Sequence, residues 1–215
     1  MQQSFHCYDP EKIEPCNVSQ VLQETHAEIL INFLPVGSFH ASRYYAQAAL
    51  DANCGFINCI PEFIVSENIP EDKDWVSKFE EAGLPCAGDD IKSQVGATIS
   101  HRVLAKLFLD RGVIIEDTYQ LNIGGNTDFE NMKMESRLTT KRKSKTSAVT
   151  SVLPYDLNCR IGPSDYVPFL KDKKICYIRI DGRTFGGLPL KADLKLRVED
   201  SPNSAGVVCD LIRVM

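Results

Sequence analysis

Residues 27–60, "AEILINFLPVGSFHASRYYAQAALDANCGFINCI", decide how the chain is read. The run 27–34 is apolar almost throughout and stops at Pro35, the pattern of a strand buried on both faces. The alanine-rich segment that follows predicts a helix with Ser38 as N-cap and Gly55 just past its end. "FINCI" predicts a second buried strand. Further on, "EDKDWVSKFEEAG" (71–83) predicts a helix stopped by Gly83, and "LPCAG" (84–88) a short third strand. Strands and helices alternating through short links predict a parallel, doubly wound sheet.

In such a sheet ligands gather beyond the carboxyl ends of the strands. Those ends are "LPVGS" (34–38), "NCIP" (58–61) and "GDDIKS" (88–93). The third is the most polar and is expected to open a helix capped by Asp89 or Asp90. Ile91, Val95, Ile99, Val103 and Leu107 recur every four residues and are expected to form its buried face, ending at Gly112. Capping and ligand binding are both open to these aspartates. A dinucleotide site also needs a G-x-G-x-x-G turn, and the only glycines up to residue 90 are Gly37, Gly55, Gly83 and Gly88. Either the chain is no nucleotide protein or it begins after that unit.

The second half changes character. "TYQLNI" (118–123), "ICYIRI" (175–180) and "LKADLKLRV" (190–198) predict strands. In the last, Leu190, Ala192, Leu194, Leu196 and Val198 alternate with charged residues, so that sheet has one buried and one wet face and is antiparallel or mixed. "DSPNSAGVVCDLIRVM" predicts a helix with Asp200 or Ser201 as cap and Pro202 in its first turn. It stops a few residues into its apolar face and is expected to be an interrupted element.

Composition narrows the class. Of 215 residues, 43% are hydrophobic and 25% charged, which suits an ordinary globular protein. The net charge of −5 argues against a protein that binds nucleic acid through its general field. There is no apolar run long enough for a membrane helix, and the first residues lack the apolar stretch of a signal peptide. Eight cysteines are scattered without a C-x-x-C pair, which favours reduced thiols in a cytoplasmic protein and no metal site.

Four segments carry more polar and glycine residues than folding requires. "GDDIKSQ" places acid, amine and hydroxyl together. "LNIGGNTDF" (121–129) ends a strand in two glycines followed by Asn126, Thr127 and Asp128, either a plain turn or, with Asn122, a directional hydrogen-bonding site. "TTKRKSKTSAV" (139–149) could serve nucleic acid, targeting, a solvated helix face or a small anion. If 141–149 opens a helix, Lys141 and Lys145 share a face as an i, i+4 pair suited to a phosphate, while Arg142 and Lys143 point to water. Last, Lys174 leads a strand and Asp200 and Ser201 end another; taken alone, Lys174 reads as a strand-flanking solubility residue.

Taken together, these segments resemble the myo-inositol-1-phosphate synthase family in its prokaryotic form. The resemblance rests on "LPVGS", "NCIP", "GDDIKSQVGAT", "YQLNIGGNTDFENM", "SKTSAV", "GPSDYVPFL", "YIRIDGRTFGGLPL" and "VEDSPNSAGVV", in that order over most of residues 30–212. It implies an α/β protein: a partial Rossmann-like, NAD-binding parallel sheet at 1–90, then an α+β catalytic and oligomerisation domain with a mixed sheet at 91–205. Residues 206–215 would start a return helix. It also implies a cytoplasmic homotetramer in inositol and phospholipid biosynthesis, with no membrane or nucleic-acid partner. Its isomerase reaction would convert D-glucose 6-phosphate to 1D-myo-inositol 3-phosphate through NAD-dependent oxidation, enolisation, aldol cyclisation and re-reduction.

The resemblance further implies Lys141, Lys145, Lys174, Asp90 and Asp200 as catalytic residues. Asn122, Asn126, Asp128, Ser201 and Ser93 would hold substrate, and Val36, Gly37, Ser38, Asp90 and Asp200 the cofactor. The family's glycine-rich cofactor turn has no counterpart here, and family chains run on past the last helix to a further active-site lysine. A folded oligomerisation module without turnover is therefore the alternative from another class.

Overall fold

The computed structural model describes residues 9, 11–66, 74–132 and 146–215, with the side chains of 163 and 164 left aside. The chain divides into two compact units, Met1–Ile91 with Cys209–Met215, and Lys92–Val208.

In the first unit, strands β1 (Ile29–Asn32), β2 (Gly55–Asn58) and β3 (Cys86–Ala87) form a parallel sheet in that order. Helix α2 (Phe39–Asp51) links the first two strands and α3 (Trp75–Glu81) precedes the third. The strand–helix alternation predicted this arrangement. A short helix that the sequence reading did not foresee, α1 (Val18–Glu24), comes first, with Asn17 accepting from the Gln20 N–H as its cap. The core joins Leu22, Ala46, Ala49, Cys54, Phe56, Ile64, Trp75 and Phe79. Phe56 and Phe79 are fully buried and stack 6.1 Å apart, each worth roughly 1.5–3 kcal/mol of burial.

Two details depart from expectation. β1 is shorter than the apolar run, and only Asn32 in it is fully buried, while Phe33 is exposed. The left-handed residue after α2 is Asn53 (φ 59°), not Gly55, which already belongs to β2. Asparagine tolerates that backbone because its short side chain bonds locally.

In the second unit, β4 (Ile114–Gly124), β5 (Asn158–Tyr166), β6 (Lys173–Arg183) and β7 (Pro189–Glu199) form a sheet of order β5-β4-β6-β7. β5 runs parallel to β4, and the other pairs are antiparallel, so the sheet is mixed. β7 alternates half-buried and exposed residues as its sequence pattern predicted. β5 escaped the pattern because Gly162 and Pro163 interrupt it; proline is tolerated there because β5 is an edge strand. Helix α4 (Ala97–Asp110) packs on the sheet, α5 (Thr127–Asn131) follows β4, residues 146–150 are helical, and α6 (Asp200–Val214) ends the chain.

The face of α4 corrects the sequence reading. The helix begins at Ala97, so neither Asp89 nor Asp90 caps it. Ala97, Thr98, His101, Ala105 and Phe108 are buried, whereas Val95, Val103 and Leu107 are 58, 62 and 51% exposed. A strict four-residue step drifts around a helix of 3.6 residues per turn, so a stripe spaced 97, 101, 105, 108 stays over the core better.

Candidate functional site

The site grows from the end of β4. Gly124 and Gly125 are there for close approach rather than for a turn. A Cβ on Gly124 would fall 2.4 Å from the Phe129 ring, and one on Gly125 would fall 2.5 Å from Lys171 N and Val167 O. That contact draws the 167–172 segment against the start of α5. Asn126 caps α5 by accepting from the Phe129 N–H at 3.2 Å. Its side-chain amide then donates to both Asp172 Oδ1 and Asp200 Oδ2, each at 3.2 Å.

Lys174, opposite Gly124 in the register, donates to Asp200 Oδ1 at 2.7 Å. Both side chains are mostly buried, 19% and 13% exposed. The ammonium also lies 5.6 Å from the Phe129 ring centre. The solubility reading of Lys174 is therefore overturned: a long cation is held in a half-dry site by an adjacent carboxylate.

Asp172, which sequence reasoning missed, organises this cluster. Its carboxylate accepts from Ser201 N at 3.0 Å and Ser201 Oγ at 2.7 Å, and its main-chain oxygen accepts from Asp200 N at 2.9 Å. It thus caps the first turn of α6 from another element, where a negative charge is favoured. Burial pushes its pKa up, but the Ser201 and Asn126 hydrogen bonds and the Lys174 ammonium outweigh burial and hold it below the usual carboxylate range. The only signal in the sequence was an acid two residues before Lys174, which spacing alone could not link to α6.

Loop 93–96 is pinned to the same turn. Asn203 accepts from the Val95 N–H and donates to Val95 O, and Gln94 N donates to Asn203 O. Ser93 Oγ lies 3.1 Å from Ser204 Oγ. Ser93, Gly96, Lys174, Cys176, Asp200 and Asn203 then line one narrow crevice. So Ser93, Asn126, Lys174, Asp200 and Ser201 come together in the second unit. Asp128 lies beside them in the first turn of α5. Asn122 lies further along β4 and is fully buried, donating to Gly162 O. Lys141 and Lys145, with Arg142 and Lys143, lie outside the described residues.

The remaining expected residues belong to the first unit. Val36 is buried and Gly37 adopts φ 91°, with its N–H donating to Glu62 Oε1 at 2.9 Å. Glu62 is itself buried, which pushes its pKa up. Ser38 stands at the N-cap of α2 without a side-chain cap bond. Asp89 accepts from three main-chain N–H groups, Ile64, Val65 and Ser66, and from Asn58 Nδ2, so it anchors a loop. Asn58 in turn accepts from Asn32, giving a buried polar ladder across the carboxyl ends of the three strands. Asp90 follows with a left-handed backbone (φ 53°) and donates its N–H to Ile60 O.

The seven described cysteines are unpaired, and Cys59 at the end of β2 has its thiol pushed up to about 11 by burial, which leaves it no thiolate character near neutrality. Among the described residues, no group of three His, Cys, Asp or Glu is placed to hold a metal, and no helix is long and apolar enough to cross a membrane.

A parallel sheet with polar strand ends, joined in sequence to a mixed sheet carrying a lysine–carboxylate cluster, defines an α/β protein. Comparison with known proteins makes this specific. Residues 96–201 match the family model described as "Myo-inositol-1-phosphate synthase". The chain is 54% identical over 207 residues to an inositol-3-phosphate synthase of Mycolicibacterium smegmatis, covering 93% of this chain and 56% of that protein. It is 51% identical over 213 residues to one of Corynebacterium glutamicum, covering 95% and 57%. A myo-inositol-1-phosphate synthase-related protein from Thermotoga maritima superposes with a TM-score of 0.71 at 29% identity, over 92% of this chain and 56% of that one. An inositol-3-phosphate synthase from Caenorhabditis elegans shares the fold, with a TM-score of 0.74 at 18% identity over 91% and 43%. The chain belongs to the myo-inositol-1-phosphate synthase family. It spans about half the length of the curated relatives it matches.

Proposed function

We propose that the chain provides the substrate-facing half of an inositol-3-phosphate synthase, an isomerase that converts D-glucose 6-phosphate to 1D-myo-inositol 3-phosphate. The observation that carries this reading is the Lys174–Asp200–Asn126 cluster at the start of α6. Enolisation and aldol closure both develop negative charge on oxygen. An ammonium held in a half-buried site stabilises such charge strongly, because little solvent reorganisation is needed. Lys174 has three N–H donors, and Asp200 takes one, leaving the ammonium able to reach a substrate oxygen. Asp200 holds the ammonium in place and accepts a proton in turn, while Asn126 keeps its second oxygen fixed. Ser93, Ser201 and Asp128 offer hydroxyl and carboxylate groups to the sugar phosphate. Lys141 and Lys145 are assigned as the phosphate and enolate partners on the family likeness alone.

NAD, when bound, would supply reversible hydride transfer to this reaction, so that the net change is isomerisation. The fit of this chain to it is one-sided. Such a sheet would receive a dinucleotide at the carboxyl ends of its parallel strands, and the Val36–Gly37–Ser38 turn follows one of those ends. Asp90 and Asp200 are assigned to the cofactor on the family likeness alone. The Gly37 N–H and the Asn32–Asn58–Asp89 ladder are already engaged internally, and the sequence contains no G-x-G-x-x-G phosphate cradle. The turn would therefore shape one wall of a Rossmann-like pocket rather than grip the pyrophosphate.

Calorimetric titration with NAD and with glucose 6-phosphate, together with an inositol phosphate assay, tests the reading. Turnover, or binding of glucose 6-phosphate that Lys174→Met abolishes, supports it. A folded protein with neither signal favours the oligomerisation module. For assembly we propose a cytoplasmic homotetramer built on the open face of the mixed sheet, where Tyr119, Leu121, Ile123, Ile175 and Tyr177 are set among charged residues.

A further inference from the structure

At the start of α6 the hydrogen-bond donors are almost fully taken up. The Asn126 side-chain oxygen accepts the Phe129 N–H, and a main-chain N–H only donates. The Asn126 nitrogen therefore faces the two acids. Its protons go one to Asp172 Oδ1 and one to Asp200 Oδ2, each at 3.2 Å. Asp172, held below the usual carboxylate range against the pull of burial, only accepts at neutral pH. Ser201 thus gives its hydroxyl proton to Asp172 Oδ1 at 2.7 Å. The Ser201 N–H goes to Asp172 Oδ2 at 3.0 Å and the Asp200 N–H to Asp172 O at 2.9 Å. Pro202, next in the turn, has no N–H to offer.

A helix start ordinarily receives an anion through its free N–H groups. Asp172 fills that place from within the chain, and the donors that it engages are those a phosphate would otherwise use. Among the side chains of Asn126, Asp172, Lys174, Asp200 and Ser201, only Lys174 still has protons to offer, since it gives one of three to Asp200. The rest of the cluster presents acceptors: lone pairs on Ser201 Oγ and on the Asp200 carboxylate. Two carboxylates stand against one ammonium, so a further anion meets repulsion at this end. A hydroxyl finds both an ammonium to accept from and oxygens for its own proton.

We propose that Asp172 is a positioning residue that determines specificity: as the resident anion of α6 it turns Ser201 into an acceptor, reserves this end of the site for ligand hydroxyls and bars phosphate from it. That the hydroxyls belong to a sugar rests on the synthase reading; the pairing of donors does not.

Titration of the nitrogen-15-labelled chain with inorganic phosphate at pH 7 tests the proposal by proton–nitrogen NMR. The reporters are the Ser201 main-chain N–H and the Asn126 side-chain amide. Asp172→Ala releases the Ser201 N–H, the Ser201 hydroxyl and one Asn126 proton together. The phosphate dissociation constant read at these signals should then fall by at least about tenfold from the wild-type value, as one regained charge-assisted hydrogen bond would give. A merely structural role for Asp172 lowers stability without this gain, so a folded Asp172→Ala with unchanged or weaker phosphate binding overturns the proposal. With Ser201→Ala added the gain should shrink, because the released hydroxyl is gone. An equal gain in the double variant would mean that only a charge was removed, and overturns the proposal too. Should Asp172→Ala not fold, Asp172→Asn takes its place: its amide oxygen still accepts the Ser201 N–H, the hydroxyl and the Asn126 proton are released, and the same two outcomes decide. Gained phosphate binding in a protein with no affinity for glucose 6-phosphate would retain this inference and lose the synthase reading. Glucose 6-phosphate binding without the gain would do the reverse.

Discussion

Asp172 and Lys174 sit two residues apart and do different work. Asp172 is a capping carboxylate for α6 and a partner of Asn126. Asp172→Asn is expected to destabilise the protein by about 1–2 kcal/mol at pH 7, the usual worth of a charge-assisted cap. Its folded pKa is lowered, so its contribution is present above the unfolded aspartate value and is lost as pH falls through the folded one. Denaturant melts should show the gap between wild type and variant closing below about pH 4. A gap that stays constant down to pH 2.5 would contradict this assignment. Lys174 contributes charge to a site. In a preparation that turns over glucose 6-phosphate, Lys174→Met should lower kcat by about 100-fold or more, the usual loss for one oxyanion partner. The apolar stem is retained, so circular dichroism should be unchanged. Near-normal turnover would remove Lys174 from the mechanism.

At the scale of elements, α4 is the instructive case. Val103 is 62% exposed and Ala105 1%, though both lie in one turn of an apolar stretch. Val103→Lys is expected to shift folding stability by no more than about 0.5 kcal/mol. Ala105→Lys should cost about 2–4 kcal/mol, because it forces a charge and extra volume against the sheet. Equal denaturation midpoints for the two variants would mean the buried face is wrongly placed. The glycine pair of β4 is a second case. The sequence suggested a flexible turn, but close approach of Phe129 and of the 167–171 segment is what excludes a side chain there. Propensity names the residue type, and packing supplies the reason for it.

At the scale of the whole molecule, the second unit presents a surface with its own consequence. The open face of the mixed sheet carries Tyr119 and Tyr177, each 36% exposed, with Arg179 paired to Asp181 at 2.8 Å beside them. If the sheet face joins protomers as proposed, the double variant Tyr119→Asp, Tyr177→Asp should reduce the mass seen by light scattering without altering the denaturation midpoint of the smaller species. Full-sized assemblies in that variant would place the interface elsewhere.

The sequence alone determined the parallel sheet of the first unit, because short apolar strands and capped helices are local patterns with local causes. It also determined the alternation of β7 and, through an ordered series of motifs, the family. Tertiary structure decided the rest. It decided which face of α4 is buried, since the helix there offers apolar residues on both sides. It brought β5 in beside β4 despite a glycine and a proline that break the strand pattern. It joined Asp172 to Ser201 across 29 residues and Asn126 to Asp200 across 74, giving Lys174 a carboxylate partner that no spacing in the sequence announces. Hydrogen bonds between distant strand ends depend on how the sheet is ordered, and that order is a property of the packed chain.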